Sequence, residues 1–364
     1  MQTRRKFDPN APEVKALREE IRRGAFTREG IMVACPTCFP GGTVPIVHDE
    51  SRITALDITP QGVIYGGTSG RQTHLFVANY HGVTGIVLDI GMPAGATRSV
   101  AVCCGAARLA AFVNGPRGGR AVGAPLASVS QDLIQEWGIN RPAIQDLGEC
   151  VPGEPVVHAV ADESRSMAVG VTSQHLFTLD FASSKIQVAG EVAAAGRIAL
   201  ASNGGIYGRD GAGHLWRYDP KAGALRRQAA PLPAGAWDLP LVWARDRRNG
   251  LLFTADAQGQ LFSFDEKRGF SGPLGRAPLA PVRPMAVTLD GRLFGFCGEE
   301  MAKMFCYDPA SGEVSNLGVA ASVLERRRYG YEFGDAVTGR DGELVFGEDD
   351  DGGHLWLYFP RIRA

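Results

Sequence analysis

Four short apolar runs recur in a fixed order along nearly the whole chain, and this recurrence constrains the fold more than any other feature. The most regular pair begins with runs such as Gly62–Gly67, Gly205–Arg209, Gly250–Phe253, Arg292–Phe296 and Glu343–Gly347. Each is followed within a few residues by His74–Val77, His214–Pro220, Gln260–Asp265, Lys303–Pro309 or His354–Pro360. Ser166–Gly170 with His175–Asp180 is a further copy, and Arg108–Leu126 is a weaker one without the aromatic consensus. A third run precedes each pair: Ile53–Asp57, Ser99–Val102, Val157–Asp162, Arg197–Leu200, Leu241–Ala244, Met285–Thr288 and Asp335–Thr338. A fourth follows most pairs, as at Val87–Gly91, Gln145–Gly148 and Ser315–Gly318. Runs this short, bounded by Gly, Asp and Asn, read as strands. Four strands repeated seven times at roughly 40 to 50 residues is the spacing of propeller blades.

Composition agrees. Gly (47) and Pro (22) make 69 of 364 residues, about 19% against a usual ~12%, and they are spread along the chain as turn residues. Ahead of the repeat Pro12–Arg23 reads as a helix, with Pro12 at its first position, Val14, Leu17 and Ile21 on one face and Gly24 as its stop. With 45% hydrophobic and 21% charged residues the chain can bury a core.

The strand–turn–His-Leu-Phe/Trp–Tyr/Phe-Asp-Pro pattern resembles the seven-bladed β-propeller superfamily, with kelch-like or quinoprotein-like blades, over about residues 45 to 360. The fold expected is therefore all-β: a seven-bladed propeller of four-stranded blades (43–364) behind an N-terminal helix and extension (1–42). The last copy stops at Pro360 without a fourth strand. Thr43–His48 is the expected source of the strand that closes the ring and removes an exposed edge. The stretch 127–142, with Leu133, Ile134 and Trp137, is an insertion in the second blade that reads as a short helix.

Several function classes recede. Thirty-eight basic and thirty-nine acidic residues give a charge of −1, unlike the basic excess of nucleic-acid-binding domains. No run of eighteen apolar residues marks a membrane helix. The charged Met1–Arg23 segment lacks a secretory core, and seven cysteines form no dense framework, so a cytoplasmic setting is expected. Cys35-Pro-Thr-Cys38 is a single CxxC pair, read as ordinary thiols near the closing strand, and Cys103 and Cys104 are read as packed on an inner strand. No Walker loop, nucleophile elbow or dinucleotide fingerprint appears.

A repeat also supplies an internal control, because a residue shared by several blades serves the blade and one that departs needs another reason. Tyr65, Tyr207, Phe253, Phe294 and Phe346 share a position suited to packing between sheets. His74, His175, His214 and His354 share the opening of the third strand. That strand lies roughly 10 Å from the innermost one, so the four cannot bind one metal. His158 departs from the repeat on an innermost strand, where other blades carry Thr54, Ile198, Met285 or Asp335, and it suits proton transfer. Arg209 and Glu348 depart on the second strand, and Arg71 projects from a rim turn. The acidic run Glu348–Asp351 is an acidic hairpin tip with calcium as its one candidate cofactor.

Several polysaccharide-lyase families use such propellers, so the resemblance implies a carbohydrate-active enzyme. It would cleave uronic-acid-containing oligosaccharides or polysaccharides by β-elimination. In that reading His158 and His175 exchange protons, Tyr207 is a second proton donor and Arg209 clamps the carboxylate. Arg71, His74 and His214 bind the sugar. Tyr207 is claimed by both the packing and the catalytic reading. The alternative is a non-catalytic propeller, a protein-interaction or sugar-binding platform. A quinoprotein oxidoreductase is disfavoured by only five Trp and no periodic Trp pattern.

Overall fold

The computed structural model describes residues 10–23, 29–36, 46–80, 86–127, 141–194, 196–323 and 328–362. Among these, the strands pair antiparallel into seven four-stranded groups, and the protein is an all-β propeller. Blade 1 is Arg52–Ile58, Ile64–Ser69, Leu75–Asn79 and Ile86–Gly91. Blade 2 is Arg98–Cys104, Arg108–Gly115, Gly118–Pro125 and Gln145–Glu149, and blade 3 is Val156–Ala161, Met167–Thr172, His175–Asp180 and Ile186–Glu191. Blade 4 is Ala199–Leu200, Ile206–Arg209, His214–Asp219 and Ala224–Pro231. Blade 5 is Ala244–Arg245, Leu252–Ala255 and Gln260–Asp265, with its outer strand split into Gly269–Phe270 and Gly275–Arg276. Blade 6 is Val282–Val287, Leu293–Cys297, Lys303–Asp308 and Glu313–Ala321. Blade 7 is Phe333–Thr338, Leu344–Glu348 and His354–Pro360.

Each innermost strand touches the innermost strand of the next blade, and that of blade 7 touches that of blade 1, so the ring is closed. The N-terminal region supplies the missing strand of blade 7, but from Gly30–Pro36 and not from Thr43–His48. Met32 pairs with Tyr358 and Ala34 with Trp356. Of the expected strand, 43–45 lie outside the described residues and His48–Glu50 forms a 3-10 turn. The propeller sheet therefore begins at Gly30, ahead of the boundary at 43. The helix is Pro12–Arg23. Its stop at Gly24, most of the insertion after Ala127 and the thiol of Cys38 fall outside the described residues.

Small residues set the inner radius. Every innermost segment carries an alanine at its centre: Ala55, Ala101, Ala159, Ala199, Ala244, Ala286 and Ala336. In five blades this alanine pairs with an aromatic residue of the second strand, Phe112, Tyr207, Phe253, Phe294 or Phe346. A small side chain opposite a large one lets blades converge near the axis without overpacking. The weak copy, blade 2, thus keeps its aromatic residue as Phe112. Further out, the close approach is made with glycine. A Cβ on Gly170 would stand 2.2 Å from Cζ of Phe177, and one on Gly208 would stand 2.2 Å from Cζ2 of Trp216.

Candidate functional site

In every blade the innermost strand starts at one face of the disc, called here the entry face. The turns between second and third strands and the connections between blades share that face. The turns between first and second strands lie on the opposite, exit face. The innermost strands run beside the axis. There they line a cavity of about 530 Å³. Toward the exit face the wall carries the aliphatic Leu56, Val102, Val160, Leu200 and Val337, and beyond them the charged Asp57, Asp162, Glu163, Arg165, Arg245 and Arg247. Toward the entry face it carries His158, Ile198, Trp243, Met285 and Asp335.

An ion pair crosses the axis at this second level. Arg197 of blade 4 donates to Asp335 of blade 7, three blades away, and to the Gly334 carbonyl. Asp335 also accepts from the Leu56 amide of blade 1 at 2.7 Å and the Ala336 amide at 2.9 Å. Trp243 of blade 5 donates its indole N–H to the Arg197 carbonyl at 3.0 Å. Four blades are thereby tied together near the entry end of the channel. His158 sits beside this strut, its Nδ1 accepting from the Ile198 amide at 3.4 Å. Burial, and then the neighbouring Arg197 charge, push its pKa well below the ordinary histidine value.

The four rim histidines are held chiefly by their own blades. The amide N–H of each donates to a side chain near the end of its second strand: Thr68, Thr172, Asp210 or Glu348. His74 is buried between two carboxylates, Nε2 at 2.9 Å from Glu50 and Nδ1 at 3.2 Å from Asp89. Burial opposes its charge, but the hydrogen bonds and charges of Asp89 and Glu50 outweigh it and raise the pKa. His175 pairs with Glu154 at 2.7 Å and His354 with Glu348 at 3.1 Å. Nδ1 of His214 has no partner among the described residues.

Of the seven candidate site residues, His158 alone lines the axial cavity. Tyr207 is buried between blades, edge-on to Phe264 with ring centroids 5.0 Å apart. Arg209 donates to the Leu239 carbonyl at 2.9 Å on the entry face. Arg71 pairs with Asp49 at 3.1 Å and Glu50 at 2.7 Å, which places it beside His74. Within the acidic run Glu348 and Asp350 lie together beside Arg328, which bonds Glu348 and stands 3.9 Å from Asp350. Glu348 turns into the core, Asp349 pairs with Arg52 at 3.0 Å, and Asp350 accepts from the Gly352 amide at 2.9 Å. No group of three or more His, Cys, Asp or Glu side chains placed to hold a metal occurs among the described residues. Cys35 lies half-buried on the closing strand, its thiol pKa raised by burial, and Cys103 and Cys104 are buried.

Sequence reasoning missed the charged residues of the channel: Asp57, Arg165, Arg197, Arg245 and Arg247. The available signal was the alanine column. Arg245 is the one charged residue among Leu56, Val102, Val160, Leu200, Val287 and Val337, which follow the alanine in the other blades.

The depressed pKa of His158 gives the fold a titratable weakness. An unfolded chain takes up a proton at this imidazole near pH ~6.5, whereas the folded chain does so only at lower pH. Below ~6.5 the unfolded state binds more protons, so this group's contribution is lost as the pH falls toward the folded value. His74, with its raised pKa, acts in the opposite sense and loses its contribution as the pH rises through the folded value. His158→Gln is expected to shrink the drop in urea midpoint between pH 7.5 and 5.5. An unchanged drop would mean that His158 already titrates normally in the fold.

No protein-family model matches the chain, and no curated protein matches it. Solved structures do. One is a chain in the "Crystal Structure of Mitotic Checkpoint Complex", with a TM-score of 0.60 and 11% identity, covering 100% of this chain and 97% of that one. Another is a structural genomics protein of unknown function from Bacteroides thetaiotaomicron, with a TM-score of 0.52 and 10% identity, covering 92% of this chain and 77% of that one. At such identities the likeness concerns the fold, and it agrees with the propeller read from the strand pairings.

Proposed function

We propose that this protein is a non-catalytic propeller whose entry face is a platform for binding another protein. The observation that carries this reading is the placement of exposed apolar side chains. Val47, Met92, Leu239, Leu279, Met301 and Tyr331 are all exposed, and all lie on connections that open onto the entry face. Leu279, Met301 and Tyr331 come from neighbouring loops of blades 6 and 7, where the Ala302 amide donates to the Tyr331 carbonyl at 2.8 Å. Exposed apolar residues on adjoining loops favour association, since covering them removes hydrocarbon from water. The similar chain in the mitotic checkpoint complex is itself part of a protein assembly.

The lyase reading lacks comparable support. β-Elimination on a uronate needs a cation, a base and an acid around one carbon. Here Tyr207 is core, Arg209 is tied to a loop carbonyl, and His175 is paired with Glu154 on the rim, away from the cavity that His158 lines.

The test pairs a face variant with a control. Leu279→Glu/Met301→Glu/Tyr331→Glu is expected to lose the proteins that co-purify with the wild type. Leu289→Glu, an equally exposed apolar residue in a first–second turn on the exit face, is expected to keep them. Identical recoveries from the two variants would defeat the platform reading. An ultraviolet signal of unsaturated uronate on mixing the wild type with uronate glycans would restore the enzymatic one.

A further inference from the structure

The exit end of the axial cavity holds three arginines with different obligations. Arg165, on the first–second turn of blade 3, is fully engaged. It donates to Asp57 at 3.1 Å, to the Ile58 carbonyl at 3.1 Å and to the Cys104 carbonyl. Arg245 holds Glu163 at 2.8 Å through Nη1, but its Nε is buried with no acceptor among the described residues. Arg247 reaches from blade 5 toward blade 7. It makes one long hydrogen bond there, 3.4 Å to the Gly339 carbonyl, and no carboxylate among the described residues forms an ion pair with it. The residue as a whole is exposed, although this hydrogen bond is part-buried. Burial, together with the charges of Arg165 and Arg245, holds its pKa below the ordinary arginine value despite the pull of Asp57.

The carboxylates at this end are occupied. Asp57 accepts from the Ile58 amide at 2.8 Å and the Cys104 amide at 2.6 Å as well as from Arg165. Asp162 accepts from the Ser166 and Met167 amides at 2.8 and 2.9 Å. What remains available is the Arg247 guanidinium, held only by its long bond to Gly339, beside the partly exposed Arg245 side chain and the aliphatic residues of the inner wall. We propose that the exit end of the axial cavity is a binding site for a small organic carboxylate, its head on Arg247 and Arg245 and its hydrocarbon body against the aliphatic wall. A guanidinium fork matches a carboxylate in bidentate fashion, and a cavity of about 530 Å³ is of small-molecule size. A single unpaired cation suits a monoanion better than a phosphate dianion. This site lies on the face opposite the protein platform, so either assignment can fail without the other.

Calorimetric titration with butyrate, hexanoate and octanoate, alongside hexanol and inorganic phosphate, tests the proposal. Affinity is expected to rise about fourfold for each methylene buried, until the cavity is filled. Hexanol and phosphate are expected to bind at least about tenfold more weakly than hexanoate. Arg247→Gln is expected to lose about tenfold or more in hexanoate affinity while melting like the wild type, because its side chain is exposed. Arg247→Lys, which keeps the charge without the fork, is expected to fall between them. Arg268→Gln, in an exposed turn of the same blade, is expected to change nothing. The proposal is overturned by no binding of any of the three acids at millimolar concentration, by equal affinity for hexanoate and hexanol, by phosphate binding as tightly as hexanoate, or by Arg247→Gln binding like the wild type.

Discussion

Replacing Glu348 with alanine is expected to cost about 3–5 kcal/mol of folding stability, the range for removing one partner of a buried ion pair. Glu348 is fully buried at the end of the second strand of blade 7. One of its oxygens takes hydrogen bonds from the His354 amide at 3.0 Å, the Trp356 indole at 3.1 Å and the Arg328 guanidinium at 2.5 Å. Alanine strands the His354 and Trp356 donors and leaves Arg328 only the Gly352 carbonyl at 3.1 Å, and water cannot readily replace a carboxylate that is fully buried. The location compounds the loss, because Trp356 is also the residue on which the closing strand lies through Ala34. Glu348→Gln keeps an acceptor but not the charge and is expected to lie between alanine and the wild type. Urea unfolding followed by circular dichroism reads all three. A midpoint for Glu348→Ala equal to the wild type would show that this cradle does not hold blade 7 together. Calcium is expected to leave the wild-type midpoint unmoved, since Arg328 already supplies the positive charge beside Glu348 and Asp350 and Arg52 holds Asp349.

Tyr207 separates packing from chemistry. Tyr207→Ala is expected to destabilise the fold by about 3–5 kcal/mol, as large aromatic truncations in cores do. Tyr207→Phe is expected to cost no more than about 1.5 kcal/mol, the net worth of one hydrogen bond. The ring is buried opposite Ala199 and edge-on to Phe264, and it contributes through that contact. Burial raises the phenol pKa, with Arg217 pulling the other way. A proton donor would show the reverse pattern, with Tyr207→Phe abolishing turnover in a fold of wild-type stability. Equal instability of the two variants would remove the packing account.

Much of the architecture was legible because it is written several times. Strand, turn, His-Leu-aromatic and Asp-Pro recur, so an ambiguous copy such as Arg108–Leu126 could be placed by its neighbours. The closing strand could not be placed in this way. Gly30–Pro36 and Thr43–His48 are both short apolar stretches ahead of the first blade. The pairing that distinguishes them, Met32 with Tyr358 and Ala34 with Trp356, lies more than 320 residues away in sequence. A departure from the repeat marked His158, and that residue does line the cavity. The same comparison set Asp335 down as an ordinary alternative at the position, although it anchors the strut across the axis.

The repeated pattern of alternation and turn residues determined by itself that this chain forms four-stranded units that must curl into a closed ring, because each unit buries its faces only against its neighbours. Only the tertiary structure decided which charges meet inside that ring. Arg197 and Asp335, or Arg247 and Gly339, stand 138 and 92 residues apart. No local periodicity couples such distant positions. They meet because converging strands bring the ends of side chains from non-adjacent blades to one axis.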